Sequence, residues 1–248
     1  MKQYRITYLK NCFIYIVNKI RFFGFKNFCP VCNSYLKSFR PFRGRDFARC
    51  PVCKSLERHR LLWIFFQKNT NLFDGKSKRL LHIAPPPYLA MKLNGLEGID
   101  YVSGDLNSKH VTMKIDITNI QFQDNHFDII ICNHVLEHIK NDITAISELH
   151  RVLKPGGWAV LQVPIAGEQT FEHLETASEE ERERLYGHHD HVRSYGRDFL
   201  NRLESLKFSV DVIPYCDEVS PEYILRLGLD CEDIYFCKKQ KKLSTECP

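Results

Sequence analysis

Two copies of the step Cys-Pro-Val-Cys, at Cys29/Cys32 and Cys50/Cys53 with 17 residues between them, constrain this chain more than any other feature. A Cys-x-x-Cys turn points two thiolates at one ion, and two such turns at this separation supply the closed tetrahedral sulfur set that structural zinc prefers. Residues 27–55 are therefore predicted to be a zinc-ribbon-like module held by Cys29, Cys32, Cys50 and Cys53. Four unlinked buried thiols would not account for the duplication, and a redox dithiol suits one pair better than two. The apolar run Cys12–Val17 is followed directly by Lys19 and Arg21 with no small-residue cleavage site, so no signal peptide is expected. The other six of the ten cysteines (Cys12, Cys132, Cys216, Cys231, Cys237 and Cys247) are accordingly expected to be reduced, in a cytoplasmic setting.

A chain of 248 residues leaves room for one ordinary domain beside such a module. With 44% apolar and 26% charged residues, it is neither collagen-like nor wholly disordered. Its longest apolar runs, such as Ile129–Cys132, fall far short of the roughly 20 residues that a bilayer helix needs. Charge is unevenly placed: residues 1–60 hold 14 Lys and Arg against Asp46 and Glu57, whereas residues 61–248 hold 21 against 28 acids. The basic part calls for an anionic partner or solvent. Arg40, Arg43, Arg45 and Arg49 alternate with Phe39, Phe42 and Phe47, which suits RNA contact, and equally suits aromatic packing under a solvated arginine face. Residues 1–26 form a basic amphipathic segment, in which Tyr8–Phe25 suits an interfacial helix on an anionic membrane or a helix docked on the protein body.

Ser55–Asn69 reads as a helix with Ser55 as N-cap and Leu61, Leu62, Phe65 and Phe66 buried, within a linker over 56–77. His59 is expected to pack rather than ligate, because four thiolates already fill the ion's shell. Asp74-Gly75 marks the boundary. Beyond it Arg79–Ile83, Tyr101–Ser103, Val111–Ile115, Phe127–Cys132 and Trp158–Val163 read as strands, and Leu89–Leu93, Asp142–Leu153 and Gly196–Leu206 as helices. Phe208–Ile213 and Asp233–Lys238 add two more strands, and Glu179–Arg184 reads as an exposed helix with a Ser178/Glu181 capping box. Alternation of this kind means a parallel sheet with helices on its faces.

Three stretches, Phe122–Ile130, His134–Ile139 and Glu148–Gly157, resemble the central region of class I S-adenosylmethionine-dependent methyltransferases of the small-molecule type. The resemblance covers 78–240 and leaves 241–248 as a tail. It implies an α/β, Rossmann-like sheet of seven strands, mostly parallel with an antiparallel last strand, and S-adenosylmethionine at the carboxyl ends of the first strands. By position it implies cofactor contacts from His82, Ala84, Asp105, Leu106, Asp116, Ile117, Asn133 and His134. Asp105 would accept the ribose hydroxyls, and Asp116 with Ile117 would read and pack the adenine. The first loop, Ala84-Pro85-Pro86-Pro87, departs from the family's glycine-rich turn and removes three backbone donors.

Methyl transfer to oxygen or neutral nitrogen requires alignment, exclusion of water and removal of a proton. The loop His188-His189-Asp190-His191 follows the fifth strand of the resemblance and is placed to cap the acceptor. His191 is the expected base with Asp190 orienting it, His134 adjoins the reacting groups, and His188, His189, Arg193 and Tyr195 are expected to bind the acceptor. Glu137 and His138 read as scaffold. The expected acceptor is a small or glycan-linked molecule. An RNA methyltransferase gripping RNA through the ribbon, and a noncatalytic binding protein on the same fold, are the alternatives.

Overall fold

The computed structural model describes residues 13–172 and 178–241. Residues 1–12, including Tyr8 and Cys12, and residues 242–248 of the tail, including Cys247, lie outside that range. The chain divides into two compact units. One comprises the described residues up to Asp74 together with Pro214–Glu232; the other comprises the described residues of Gly75–Ile213 and those from Asp233 onward. The second domain is thus not the unbroken 78–240 expected from sequence. Among the described residues no helix is long and apolar enough to cross a membrane.

The first unit begins with a helix, α1, over 13–21, whose Phe13, Ile14, Ile16, Val17 and Ile20 are exposed. Strands β1 (Asn27–Cys29) and β2 (Ser34–Leu36) pair antiparallel across the first knuckle. Strands β3 (Arg40–Phe42) and β4 (Arg45–Arg49) form a second hairpin. Its two-residue loop is Arg43-Gly44, with φ of 48° and 75°. Left-handed backbone at both positions is the turn whose twist matches paired strands, and glycine takes the second without strain.

Helix α2 (Glu57–Asn69) buries Leu61, Leu62, Trp63, Ile64, Phe65 and Phe66 in succession, as a helix covered on all sides must. The expected Ser55 cap is displaced. Leu56 holds the N-cap position and its N–H donates to His59 Nδ1 at 3.1 Å, while the Ser55 hydroxyl turns to the thiols. Arg60, fully buried, explains why residues 214–232 belong here. Its guanidinium donates to the carbonyls of Ala48, Ser55, Leu227 and Gly228 and lies 3.9 Å from the Phe39 ring centroid. A buried cation persists only when its donors are satisfied in this way.

The second unit is a seven-stranded sheet. In chain order its strands are β5 (Lys78–Ile83), β6 (Ile99–Asp105), β7 (Met113–Lys114), β8 (Phe127–Asn133), β9 (Leu153–Gln162), β10 (Phe208–Ile213) and β11 (Ile234–Lys239). Their spatial order is β10-β11-β9-β8-β5-β6-β7, with β11 antiparallel to both neighbours and the remaining pairs parallel. Helices α3 (Pro87–Asn94), α4 (Asp142–Val152), α5 (Glu179–Tyr186) and α6 (Phe199–Ser205) intervene. Central β8 reads Phe-Asp-Ile-Ile-Ile-Cys-Asn with four consecutive buried residues, the continuous apolar pattern of a strand covered on both faces. One face packs Leu81, Ile83, Ile130 and Cys132 against Ile146, Leu149, Phe199 and Leu203 of the helices. Two of the expected bounds shift furthest. The Pro155-Gly156-Gly157 stop falls inside β9, and the last helix begins at Phe199 because Gly196, Arg197 and Asp198 cross-link to Gly167–Thr170.

Candidate functional site

In the first unit the four knuckle thiols converge. Cys29, Cys32, Cys50 and Cys53 are all buried, with sulfurs 3.7 Å apart for Cys29–Cys53 and 3.8 Å for Cys32–Cys50. A tetrahedron with zinc–sulfur arms of about 2.3 Å has edges of about 3.8 Å, so the donor set fits zinc. Each knuckle is closed by the same device. Asn33 and Lys54, each directly after the second cysteine, have φ of 52° and 67°, and the Lys54 N–H returns to the Cys50 carbonyl at 3.0 Å. Ser55 receives the Cys53 thiol at 3.1 Å. The arginines of this unit turn toward their own aromatics and acids: Arg43 and Arg49 lie over Phe42, and Arg45 lies 3.7 Å from Glu57.

In the second unit the strand order reverses direction between β5 and β8, the position where open α/β sheets form a crevice. Both strand ends carry strained backbone there. Ala84, just after β5, has φ 45°, and His134, just after β8, has φ 53°; neither is glycine. Their amides are fixed, Ala84 N–H to the Gly104 carbonyl at 2.8 Å and His134 N–H to the Gln162 carbonyl at 2.8 Å. The proline loop enters a helix directly. Pro86 is the N-cap of α3 and Pro87 its first residue, where a backbone donor has no helical partner in any case.

Beside this crevice, Gly104 in β6 admits no side chain, since a Cβ would fall 2.4 Å from Ile115 Cδ1. Asp105 follows it, half-buried, with Oδ1 accepting from the amides of Asn107 and Ser108 at 2.7 Å each. The adjacent Leu106 is exposed. Asp116 repeats the device with the Thr118 hydroxyl and amide, which hold its carboxyl below the usual range. Asn133 Oδ1, at the end of β8, is buried and without a hydrogen-bond partner. A buried amide oxygen left in that state costs free energy, which a bound donor would recover.

Four of the expected contacts have other roles. His82 is buried on the opposite face of β5 from Leu81 and Ile83, 3.1 Å from the Tyr101 hydroxyl, and burial pushes it down to about 3. Ile117 packs in the hydrophobic core. Arg193, 2% exposed, donates to the carbonyls of Leu136, Ile139 and Lys140 and to Glu172, so it is a bolt between segments rather than an acceptor ligand. Tyr195 is fully buried and donates to Asp142 at 2.6 Å; burial, then Asp142, pushes its hydroxyl up. Spacing placed both near the loop, but only the fold shows that they face inward.

The histidines do gather. His188 Nδ1 donates to the Asp190 carboxylate, and His188 stacks on both His189 and His191 with ring centroids 4.4 and 5.1 Å apart. His191 Nδ1 lies 3.1 Å from the Tyr186 carbonyl, and burial, then neighbouring His138, pushes its imidazole down to about 4, so it is neutral at physiological pH. His138 and Glu137, read from sequence as scaffold, sit on the 3₁₀ turn Leu136–His138 directly under this loop. The His138 and His191 rings are 4.7 Å apart, and Val192 N–H donates to the Glu137 carbonyl. His134 joins them through Glu137, Nδ1 to Oε1 being 3.5 Å. The signal in the sequence was the His134/His138 spacing; what it lacked was the loop 50 residues on.

Comparison with known proteins agrees with this geometry. Residues 91–161, from within α3 to within β9, match the family described as "Methyltransferase domain". A demethylmenaquinone methyltransferase of Staphylococcus epidermidis is 36% identical over 69 residues, covering 28% of this chain and 24% of that protein. An uncharacterised methyltransferase of Schizosaccharomyces pombe is 28% identical over 120 residues, covering 45% and 43%. The chain thus matches less than half the length of either relative. The solved structure of an S-adenosylmethionine-dependent methyltransferase from Mesorhizobium loti superposes with a TM-score of 0.51 at 13% identity, over 71% of this chain and 97% of that one, and shows the shared fold. The second unit thus shares the fold of that methyltransferase, and residues 91–161 within it match a methyltransferase domain.

Proposed function

We propose that this chain transfers a methyl group from S-adenosylmethionine to an oxygen or nitrogen of a small or glycan-linked acceptor. The observation that carries the reading is Asn133 Oδ1, buried and unpartnered at the switch point between β5 and β8. The residues there fit the cofactor. Asp105 Oδ2 suits two ribose hydroxyls, Asp116 suits the adenine amine, and Asn133 and the Ala84 turn suit its amino-acid end. The cofactor supplies an electrophilic methyl on a sulfonium. This chain's part is to align the acceptor lone pair with that carbon and to take the acceptor's proton as the new bond forms. Neutral His191, with Nδ1 on the Tyr186 carbonyl, presents Nε2 as the acceptor-side lone pair, and His134 stands between the two halves of the site. A small acceptor is supported by the relative named for demethylmenaquinone and by arginines in the first unit that are occupied with Phe42 and Glu57.

We further propose that zinc on Cys29, Cys32, Cys50 and Cys53 is structural, since a four-thiolate shell leaves no open position. Isothermal titration of the full chain with S-adenosylmethionine and with its demethylated product tests the enzymatic reading. Saturable binding of both is expected, and absence of binding would overturn it.

A further inference from the structure

The loop over 188–191 carries more convergent imidazole than proton transfer requires. Ligand atoms of Glu137, His138 and His191 lie within 4.8 Å of one another, inside the second unit, whereas the thiols belong to the first. Glu137 is 1% exposed, and His138 and His191 are half-buried. Each imidazole has an outer partner. His138 Nδ1 is 3.2 Å from Asp190 Oδ1, and His191 Nδ1 is 3.1 Å from the Tyr186 carbonyl. With Nδ1–H so engaged, Nε2 is the nitrogen that keeps its lone pair, and a carboxylate or carbonyl behind a histidine is the usual support of a metal ligand. The Val192 amide on the Glu137 carbonyl fastens the loop to the 3₁₀ turn, so the ligands are joined by backbone as well.

We propose that Glu137, His138 and His191 bind one divalent transition ion of borderline softness, such as zinc, with Asp190 and the Tyr186 carbonyl orienting the two imidazoles. Two imidazoles and one carboxylate suit zinc or iron(II), whereas magnesium and calcium prefer oxygen alone. Three protein ligands leave a coordination position open. An alternative set, His188, Asp190 and His191, shares one ligand, but Asp190 is 52% exposed and already serves both His138 and His188. The ion therefore belongs on the Glu137 side. Its use rests on the methyl-transfer reading and, with His191 Nε2 on the ion, takes the place of His191 as base: an acceptor hydroxyl at the open position would lose its proton to solvent more readily, leaving the oxygen a better nucleophile.

Cobalt titration of the full chain, freed of tag and stripped of metal, tests the site. Two equivalents are expected, the first with thiolate-to-cobalt charge transfer and the second with ligand-field bands alone. His138→Ala and His191→Ala are expected to abolish the second equivalent and keep the first. Asp190→Asn is expected to weaken it about 10- to 100-fold, and His188→Ala to leave it within a factor of about three, far below that outer-partner effect. One equivalent in the wild-type chain, second-site affinity only in the millimolar range, or a second site unaffected by His138→Ala and His191→Ala would overturn the proposal; so would its loss in His188→Ala. Should the alanine variants fail to fold, the cobalt-loaded wild type carries the test: two hyperfine-shifted imidazole N–H signals are expected, and none would overturn it. Cofactor titration of the same preparation separates the readings, since failure to bind S-adenosylmethionine leaves the metal stoichiometry untouched.

Discussion

The thiol cluster of the first unit and the histidine cluster of the second are both able to hold an ion, and they differ in every respect that decides what an ion does. The thiols come from two copies of one local turn, are buried throughout and exhaust a tetrahedron. The histidines come from a 3₁₀ turn and a loop 50 residues apart, are half-buried and reach only three ligands with the buried Glu137. A closed soft shell spends its binding free energy on folding, whereas an open mixed shell leaves room for a reacting atom. Proximity of ligands is common to both; completeness of the shell separates structure from chemistry.

The sharpest way to break this contrast is Cys32→Ser. Structural zinc contributes an apparent ~10–16 kcal/mol in small modules, so amides over 27–55 should lose hydrogen-exchange protection while those of β5 and β8 keep it. Equal loss in both units would show one cooperative body. Next in size is His191→Ala, expected to lower turnover about 100-fold or more with S-adenosylmethionine affinity nearly unchanged, as for an interaction made in the transition state. Tenfold weaker cofactor binding would move the loop to the other half of the site. Asp105→Ala should weaken S-adenosylmethionine about tenfold or more, because a hydrogen bond to a charged group is worth ~1.5–3 kcal/mol; calorimetry showing unchanged affinity in a folded variant would reassign Asp105 to its turn alone. The smallest effect concerns the basic unit. Any RNA affinity should be weak, and it should fall steeply and linearly on a log–log salt plot, as phosphate contacts do. Tight binding with a steep salt slope would show these arginines free to meet phosphate and favour the RNA reading.

Local chemistry was the legible part. Knuckle spacing placed four residues in one site, and the Ser178/Glu181 capping box at α5 forms with both reciprocal hydrogen bonds. Strand positions followed from apolar runs such as Phe127–Cys132, which β8 extends by only one residue. What escaped depends on partners far along the chain. Arg193 and Tyr195 look like ligands until Leu136, Ile139 and Asp142 are seen to occupy them. Ser55 is a sound helix cap by type, yet its hydroxyl is worth more against the Cys53 thiol, and His59 supplies the missing acceptor. Glu137 and His138 read as scaffold in the sequence because their partners lie on a loop that no periodicity links to them.

The excursion of residues 214–232 bears on how the protein can be made and taken apart. A fragment ending at Asp74 would carry Arg60 without Leu227 and Gly228, two of the carbonyls that make its burial tolerable, and Asn27 without the Leu225 and Arg226 carbonyls it donates to. A fragment starting at Gly75 would hold nineteen residues with nothing to pack on. During synthesis neither unit can finish early. The thiol-knuckle unit waits for its last helix, Pro221–Leu227, and the sheet waits for β11, the antiparallel strand that joins β10 to β9 and is translated only after that helix. The two halves must therefore mature almost together, and dissection of this protein calls for a graft across 214–232 rather than a cut.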